Sequence, residues 1–397
     1  MSFQTWVRLA GRRLPYAELR AEPDRFSGLL SRAWADKDAE CLCRTPALPL
    51  VTRCRSGHYS LAVWPHGGPR HNPMCAFFKV DGELSGQKPY TGAAIREGDD
   101  GGVAISFAGP LAASTRSDAL SREPVERSVY PGIGRSRIGL LGILHWLWEE
   151  SRLTTWHPTV RDRSWADVVQ ALRSQAEICT INSQPGSDVL YVVPPWSRGS
   201  LPAFDRFLSN LDGRSALRRG FVVGELAHRH EAEFGYRYEL VDQRARQVMV
   251  RKTLHERLTR SYRHAVSRAA TEAGGRRVLL AYVERSRTGY AVAVDAAIML
   301  TNQQWIPADS SYEVLATDAL VRAGRAFLKP CRYDGDAVFP DYVFLDQPQS
   351  FMEVWGREDD AEYRRRKLEK LRHYRESGAR LLEWSAPGPM PSLALAG

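Results

Sequence analysis

Apolar positions along the chain switch repeatedly between helical and strand periods, and the switches mark out its regions. Residues 16–39 carry a helical pattern, with Pro23 breaking or starting a segment. From Leu48 to Val80, short apolar runs (LPLVTRC, YSLAVW) alternate with SGH and PHGGPRH, which predicts a hairpin. Residues 82–135 are rich in Gly, Ser, Asp and Pro and predict loops with weak strand. Leu140, Leu141, Leu144, Leu147 and Trp148 share one helical face, and a second helix is predicted over 165–176. A strand (DVLYVVPPW), a helix over 201–210 and a hairpin (FVVGELAHRHEAEFGYRYELV) follow. A basic helix over 252–272 and a hairpin over 278–301 complete an α+β middle region.

The order beyond residue 305 is the most readable. A helix over 310–324 starts at Asp309 or Ser310, with Glu313 placed as in a capping box. Three strands follow: FLKPCRY, VFPDYVFLD and, after the turn QPQS, FMEVWG. A helix over 359–377 stops at Gly378, and the strand RLLEWS ends the unit. Asp341 and Glu353 lie on two strands joined by a tight turn, so their carboxylates can converge on one side of the sheet. Paired carboxylates in that setting suit a hard divalent cation, Mg²⁺ or Mn²⁺. Tyr363, Lys367, Lys370 and Tyr374 recur at i, i+4, i+7 and i+11 on the following helix, within a stripe about 60° wide.

Composition sharpens this only in places. The 397 residues are 43% hydrophobic and 25% charged, which excludes a largely disordered chain and predicts two or three domains. No uncharged apolar run approaches the ~18 residues of a membrane span, and the N-terminal segment lacks a signal-peptide core, so a cytoplasmic protein is expected. The net charge of +9 favours an anionic partner, nucleic acid first. Only seven of the 55 basic residues are lysine, and two of these, Lys367 and Lys370, share the helical stripe. The neighbouring Arg364, Arg365 and Arg372 are expected to contact phosphates. Four of the six cysteines fall between 41 and 75. Cys41, Cys43, His71 and Cys75 form a C-x-C…H-x3-C pair of knuckles across the predicted hairpin, a ligand set for structural Zn²⁺. Cys54, His58 and His66 are alternative ligands.

The C-terminal order, with Pro340-Asp341, Glu353-Val354-Trp355 and the Tyr- and Lys-bearing helix, resembles the PD-(D/E)XK nuclease core over 305–386. The resemblance implies Asp341 and Glu353 as Mg²⁺ ligands, Glu313 as a supporting carboxylate and an αβββαβ fold. The motif lysine is replaced by Trp355, and the resemblance implies its transfer to Lys367 or Lys370. The whole chain also resembles a bacterial domain-of-unknown-function family of plasmids and integrative elements, through CLC…YSLAVWPHGGPRHNPMC, WIPADSSYE and FPDYVFLD…FMEVWG…EYRRRKLEKLRHY.

The expected fold class is α+β multidomain. A zinc-binding strand and loop module (1–128) precedes the middle region (129–304), the PD-(D/E)XK-like core (305–386) and a flexible tail (387–397). The expected function is metal-dependent hydrolysis of DNA phosphodiesters in mobile-element biology or defence, with no membrane involvement. The alternatives are an inactive nuclease-fold DNA-binding protein and a partner-assembly protein.

Overall fold

Positive φ at Ala10 and Gly11 folds Trp6–Leu9 (β1) back onto Arg12–Pro15 (β2), a reversal that glycine adopts without steric cost. The computed structural model that shows this describes residues 4–55, 57–64, 67–79, 82–98, 102–111, 135–160, 162–211, 218–333, 339–356 and 361–394. Two helices follow, Tyr16–Ala21 (α1) and Ser27–Asp36 (α2), separated by a short 3-10 turn at Pro23–Phe26. Ala39–Cys41 (β3), Leu48–Arg55 (β4) and His58–Val63 (β5) complete a sheet ordered β2-β1-β3-β4-β5. Leu29, Leu30 and Ala33 of α2 are buried with Val7, Leu9, Leu48 and Leu50 of that sheet.

Ile95–Glu97 (β6) and Val103–Ile105 (β7) are the weak strands expected between 82 and 135. The helix Leu140–Glu150 (α3) is buried on nearly every side, so its apolar stripe widens into a core helix. After Thr155–Trp156 (β8), the capping box Ser164–Asp167 starts Trp165–Ile178 (α4). Cys179–Ile181 (β9) and Gln184–Pro185 (β10) join the weak strands in a sheet ordered β10-β9-β7-β6. Gly186–Val189 (α5), Leu190–Val192 (β11) and Ser200–Ser209 (α6) lead into five longer-range strands.

Those five are Arg219–Ala232 (β12), Gly235–Leu240 (β13), Val248–Val250 (β14), Arg276–Arg285 (β15) and Ala291–Thr301 (β16). They run β12-β13-β14-β16-β15, and β15 pairs back onto β12, closing a five-stranded barrel. Its interior holds Val222, Leu226, Tyr238, Leu240, Val248, Leu279, Ala281 and Ile298. The helix expected over 252–272 is two helices, Lys252–Ser261 (α7) and Arg268–Glu272 (α8). The break has a cause: the Ser267 hydroxyl accepts from the Ala270 N–H at 3.1 Å and starts a new helix. Pro307–Ala308 (β17) pairs with β16.

The C-terminal unit has the expected element order: Ser311–Arg322 (α9), Phe327–Leu328 (β18), Tyr342–Phe344 (β19), Ser350–Trp355 (β20), Ala361–Glu376 (α10) and Arg380–Ser385 (β21). Its sheet is ordered β21-β20-β19-β18-β8, with β20 and β21 parallel and the other pairs antiparallel. Two expectations change. The sheet takes β8 from the middle region, so the boundary at 304 does not separate its strands. The tail expected to be flexible from 387 packs back: Leu393 is buried and its carbonyl accepts from Arg325 at 3.1 Å. The chain is a mixed α+β protein, and among the described residues no helix is long and apolar enough to cross a membrane.

Candidate functional site

Two clusters of chemically capable side chains stand out. In the first, β3 carries Cys41 into the core and the chain turns directly after it, presenting Cys43 two residues on. A 3-10 turn at Gly68–Arg70 delivers His71, and the turn behind it delivers Cys75. The Sγ atoms of Cys41 and Cys75 are 3.5 Å apart, and His71 Nδ1 lies 3.3 Å from Cys43 Sγ and 3.8 Å from Cys75 Sγ. Tetrahedral zinc with Zn–S near 2.3 Å and Zn–N near 2.0 Å sets its ligand atoms roughly 3.3–3.8 Å apart, so the donor set fits. Backbone N–H groups of Asn72 and Phe77 donate to Cys43 Sγ and Cys75 Sγ, each at 3.4 Å, as suits thiolates. The Thr5 hydroxyl accepts from Ala76 N–H and donates to Cys75 Sγ, tying β1 to the knuckle. All four ligand atoms lie within 4.8 Å of one another. Cys54 is exposed and does not join them. The side chain of His58, and His66 altogether, lie outside the described residues.

The second cluster lies in the C-terminal unit. Ser310 caps α9 by accepting from Glu313 N–H at 3.2 Å, and Glu313 accepts from Asp309 N–H at 2.9 Å. That fixes Glu313 in a buried position, where Lys329 Nζ meets it at 2.9 Å. Asp341 enters just before β19; one oxygen accepts from Val354 N–H at 2.8 Å and the other from Arg332 at 2.9 Å. Arg332 also reaches Asp309 at 3.0 Å, bridging the two acids. Glu353 on β20 receives Lys370 Nζ on both oxygens, at 2.9 and 2.8 Å, and the Tyr374 hydroxyl at 2.6 Å. The third proton of the ammonium goes to the Phe339 carbonyl at 2.7 Å.

The C-terminal part of the helical stripe, Lys370 and Tyr374, therefore meets Glu353, while its N-terminal part lies against the end of β20. Tyr363 accepts from Gly356 N–H at 3.1 Å, and Lys367 Nζ sits 5.0 Å above the Trp355 ring. Trp355 itself packs in the core and donates to Glu383 at 2.9 Å. Arg364, Arg365 and Arg372 lie on the exposed side of α10. A cavity of about 400 Å³ opens beside the cluster, with Pro340, Phe351, Lys370 and Tyr374 among its walls.

The electrostatics divide the carboxylates. Burial opposes ionisation of Asp341, but Lys329, Lys370 and Arg332 together hold its carboxyl below the usual carboxylate range. Burial, and then the neighbouring Asp341 charge, push Glu353 up to about 7 in spite of Lys370 and Tyr374. Among the described residues, Cys41, Cys43, His71 and Cys75 are the one group whose ligand atoms converge as a metal set. The carboxylates are instead matched by the chain's own cations.

Sequence reasoning missed three participants in this network, Asp309, Lys329 and Arg332. The signal for Lys329 was the scarcity of lysine: FLKPCRY places one of seven directly after a two-residue apolar strand, where it is 1% exposed. It also missed Glu149 of α3, half-buried in contact with the hydroxyls of Ser85 and Tyr333 and pushed up to about 7 by desolvation.

With the geometry in place, comparison with known proteins decides the family. The chain belongs to the DUF1173 family, described as "Protein of unknown function (DUF1173)". The match runs over residues 13–386, so it embraces both clusters and the barrel between them. No curated protein and no solved structure matches the chain.

Proposed function

We propose that the C-terminal unit is a metal-dependent nuclease of the PD-(D/E)XK type acting on DNA, with the Cys/His knuckles holding a structural zinc ion. The observation that carries the nuclease reading is Lys370. An amine from α10 stands within 2.9 Å of both Glu353 oxygens, beside the strand whose motif lysine position holds Trp355.

The acids fit a hard cation in one respect. Asp341 Oδ1 and Glu353 Oε2 each take one basic partner, which leaves acceptor capacity on both. A divalent cation held there would supply Lewis-acid stabilisation of a phosphodiester and a water of lowered pKa. The chain's own residues do the rest. Val354 N–H and Arg332 orient Asp341, Tyr374 and Lys370 orient Glu353, and the ammonium lends positive charge beside the scissile phosphate. Glu313, neutralised by Lys329, supports Asp341 from below, and Arg364, Arg365 and Arg372 offer contacts to the DNA backbone.

A second reading, DNA binding without cleavage, is favoured by the ion pairing of every carboxylate in the cluster. One assay separates them. Purified protein is incubated with supercoiled plasmid and single-stranded DNA in Mg²⁺ or Mn²⁺, beside Glu353→Ala and Lys370→Met. Cleavage by wild type that both variants lose supports the nuclease; cleavage that survives Glu353→Ala sinks this site assignment. Binding without cleavage establishes the second reading.

A further inference from the structure

The sequence left the middle region without a function, and its barrel supplies one. Renumbered from its own first strand, the barrel runs 1-2-3-5-4 and closes from 4 to 1. Its third and fifth strands, β14 and β16, are parallel, its remaining pairs are antiparallel, and helices α7 and α8 connect the third strand to the fourth. This is the connectivity of oligonucleotide- and oligosaccharide-binding barrels, whose ligands lie across the second and third strands between the loops that follow strands one and four. A fold of this kind hosts many functions, so the argument turns on what those positions carry here.

They carry exposed aromatics. Phe234, in the turn after the first strand, is 87% exposed, and Tyr290, in the turn after the fourth, is 60% exposed. The register places them at opposite ends of β14. Tyr236, two residues after Phe234, pairs with Val250, whereas Ala291, directly after Tyr290, pairs with Val248. Roughly 7 Å of strand separates those two register positions. Between them lies an outward row set by the pleat. Tyr238, Val248, Val250 and Ala291 are buried in the barrel, so Arg237, Met249 and Val292 face the other way, and His230 pairs beside Arg237. Arg285 and Arg287 are exposed in the same turn as Tyr290.

We propose that this face binds single-stranded nucleic acid, with Phe234 and Tyr290 as base-stacking platforms and Arg237, Arg285 and Arg287 as backbone contacts. An aromatic at each end of a face that carries Arg237, with its acid Glu239 already paired to His230 and Arg244, suits unpaired bases, which offer a π-face whatever their sequence. A duplex hides those faces inside its stack, so it gains only the electrostatic part of the interaction. The proposal does not rest on the nuclease reading, because the barrel and the acidic cluster share no residue.

The test is equilibrium binding of the full chain to a fluorescein-labelled oligothymidylate in chelator, where no metal-dependent cleavage occurs. Phe234→Ala and Tyr290→Ala remove exposed side chains and leave the barrel interior intact; each is expected to weaken binding roughly tenfold. Arg237→Ala and Arg287→Ala are each expected to lower the slope of log affinity against log salt by about 1. Wild-type affinity in both aromatic variants, or no binding of the oligonucleotide by wild type, overturns the proposal. Affinity for a blunt duplex that falls as far as that for the single strand in the aromatic variants also overturns it. Cleavage is scored separately in Mg²⁺ or Mn²⁺, so a protein that binds single strands and cuts nothing refutes the nuclease and leaves the barrel's role standing.

Discussion

The Cys/His cluster and the carboxylate cluster solve the same physical problem in opposite ways. Each gathers groups that repel one another when charged, and each does so in a largely buried setting. At the N-terminal cluster no lysine or arginine is among the four converging groups, and their spacing suits a tetrahedral ion, which could supply the compensation. At the C-terminal cluster Lys329, Arg332 and Lys370 provide it from within the chain. The difference teaches that the first site has the donor set to take a metal as its counter-charge, whereas the second is held together by the chain's own cations. That charge balance would oppose tight binding of any added cation.

Breaking the first arrangement has the largest expected effect. Structural zinc contributes on the order of 10 kcal/mol to small modules, so Cys75→Ser is expected to lose the ion and unfold the N-terminal strands. Metal analysis and amide hydrogen exchange over residues 4–79 read this out. A metal-to-protein ratio well below one in wild type purified without chelator would erase the contrast. Next comes Lys370→Met, which strands Glu353 in the core without its cation and is expected to cost about 3–5 kcal/mol in denaturant unfolding. Adding Glu353→Gln should recover part of that loss; a double variant no more stable than the single would show that Lys370 acts mainly through packing.

Glu149 sharpens the comparison because the Ser85 and Tyr333 hydroxyls donate to it and, among the described residues, no ion pair includes it. Its folded-state pKa is raised from 4.5 to about 7, so the folded chain keeps a proton that the unfolded chain releases in that window. Stability therefore falls as pH rises between these values and is flat above them. Glu149→Gln should remove this slope, gaining up to about 3 kcal/mol over wild type at pH 8 relative to pH 5. Equal differences at the two pH values would contradict the assignment. Smallest is Arg365→Ala. Its contact with Glu369 spans 3.9 Å between exposed side chains, so stability should move by less than about 0.5 kcal/mol. Its salt slope for DNA binding should still fall by about 1.

What was legible in the sequence was what local signals write. Ser310 as cap, the turn before Ser350 and Gly378 after α10 each act within a few residues, and the C-terminal element order followed from them. Lys370 was legible because helical spacing projects it to the face that carries Tyr374. Lys329 and Arg332 were not, because their roles come from partners brought in by α9 and β19, and nothing in FLKPCRY announces Glu313. The barrel escaped for the same reason. Each of its hairpins was readable, but closure of β15 onto β12 joins residues some sixty positions apart, such as Val222 and Ala281. The knuckles fell between these cases: residue types and spacing proposed the four ligands, and only the fold set Cys54 aside.

The two-residue strand β8 has a bearing on how this protein can be taken apart. Thr155 and Trp156 pair with Leu328 and Phe327 and cover what would otherwise be the raw margin of the C-terminal sheet. A recombinant fragment beginning at 305 would be made with that margin bare, an invitation to pair with its own copies. The C-terminal unit, in other words, is not a portable cassette. During synthesis its finishing strand leaves the ribosome well over a hundred residues early and must wait for the rest, so any swap, split or truncation has to carry 155–156 along.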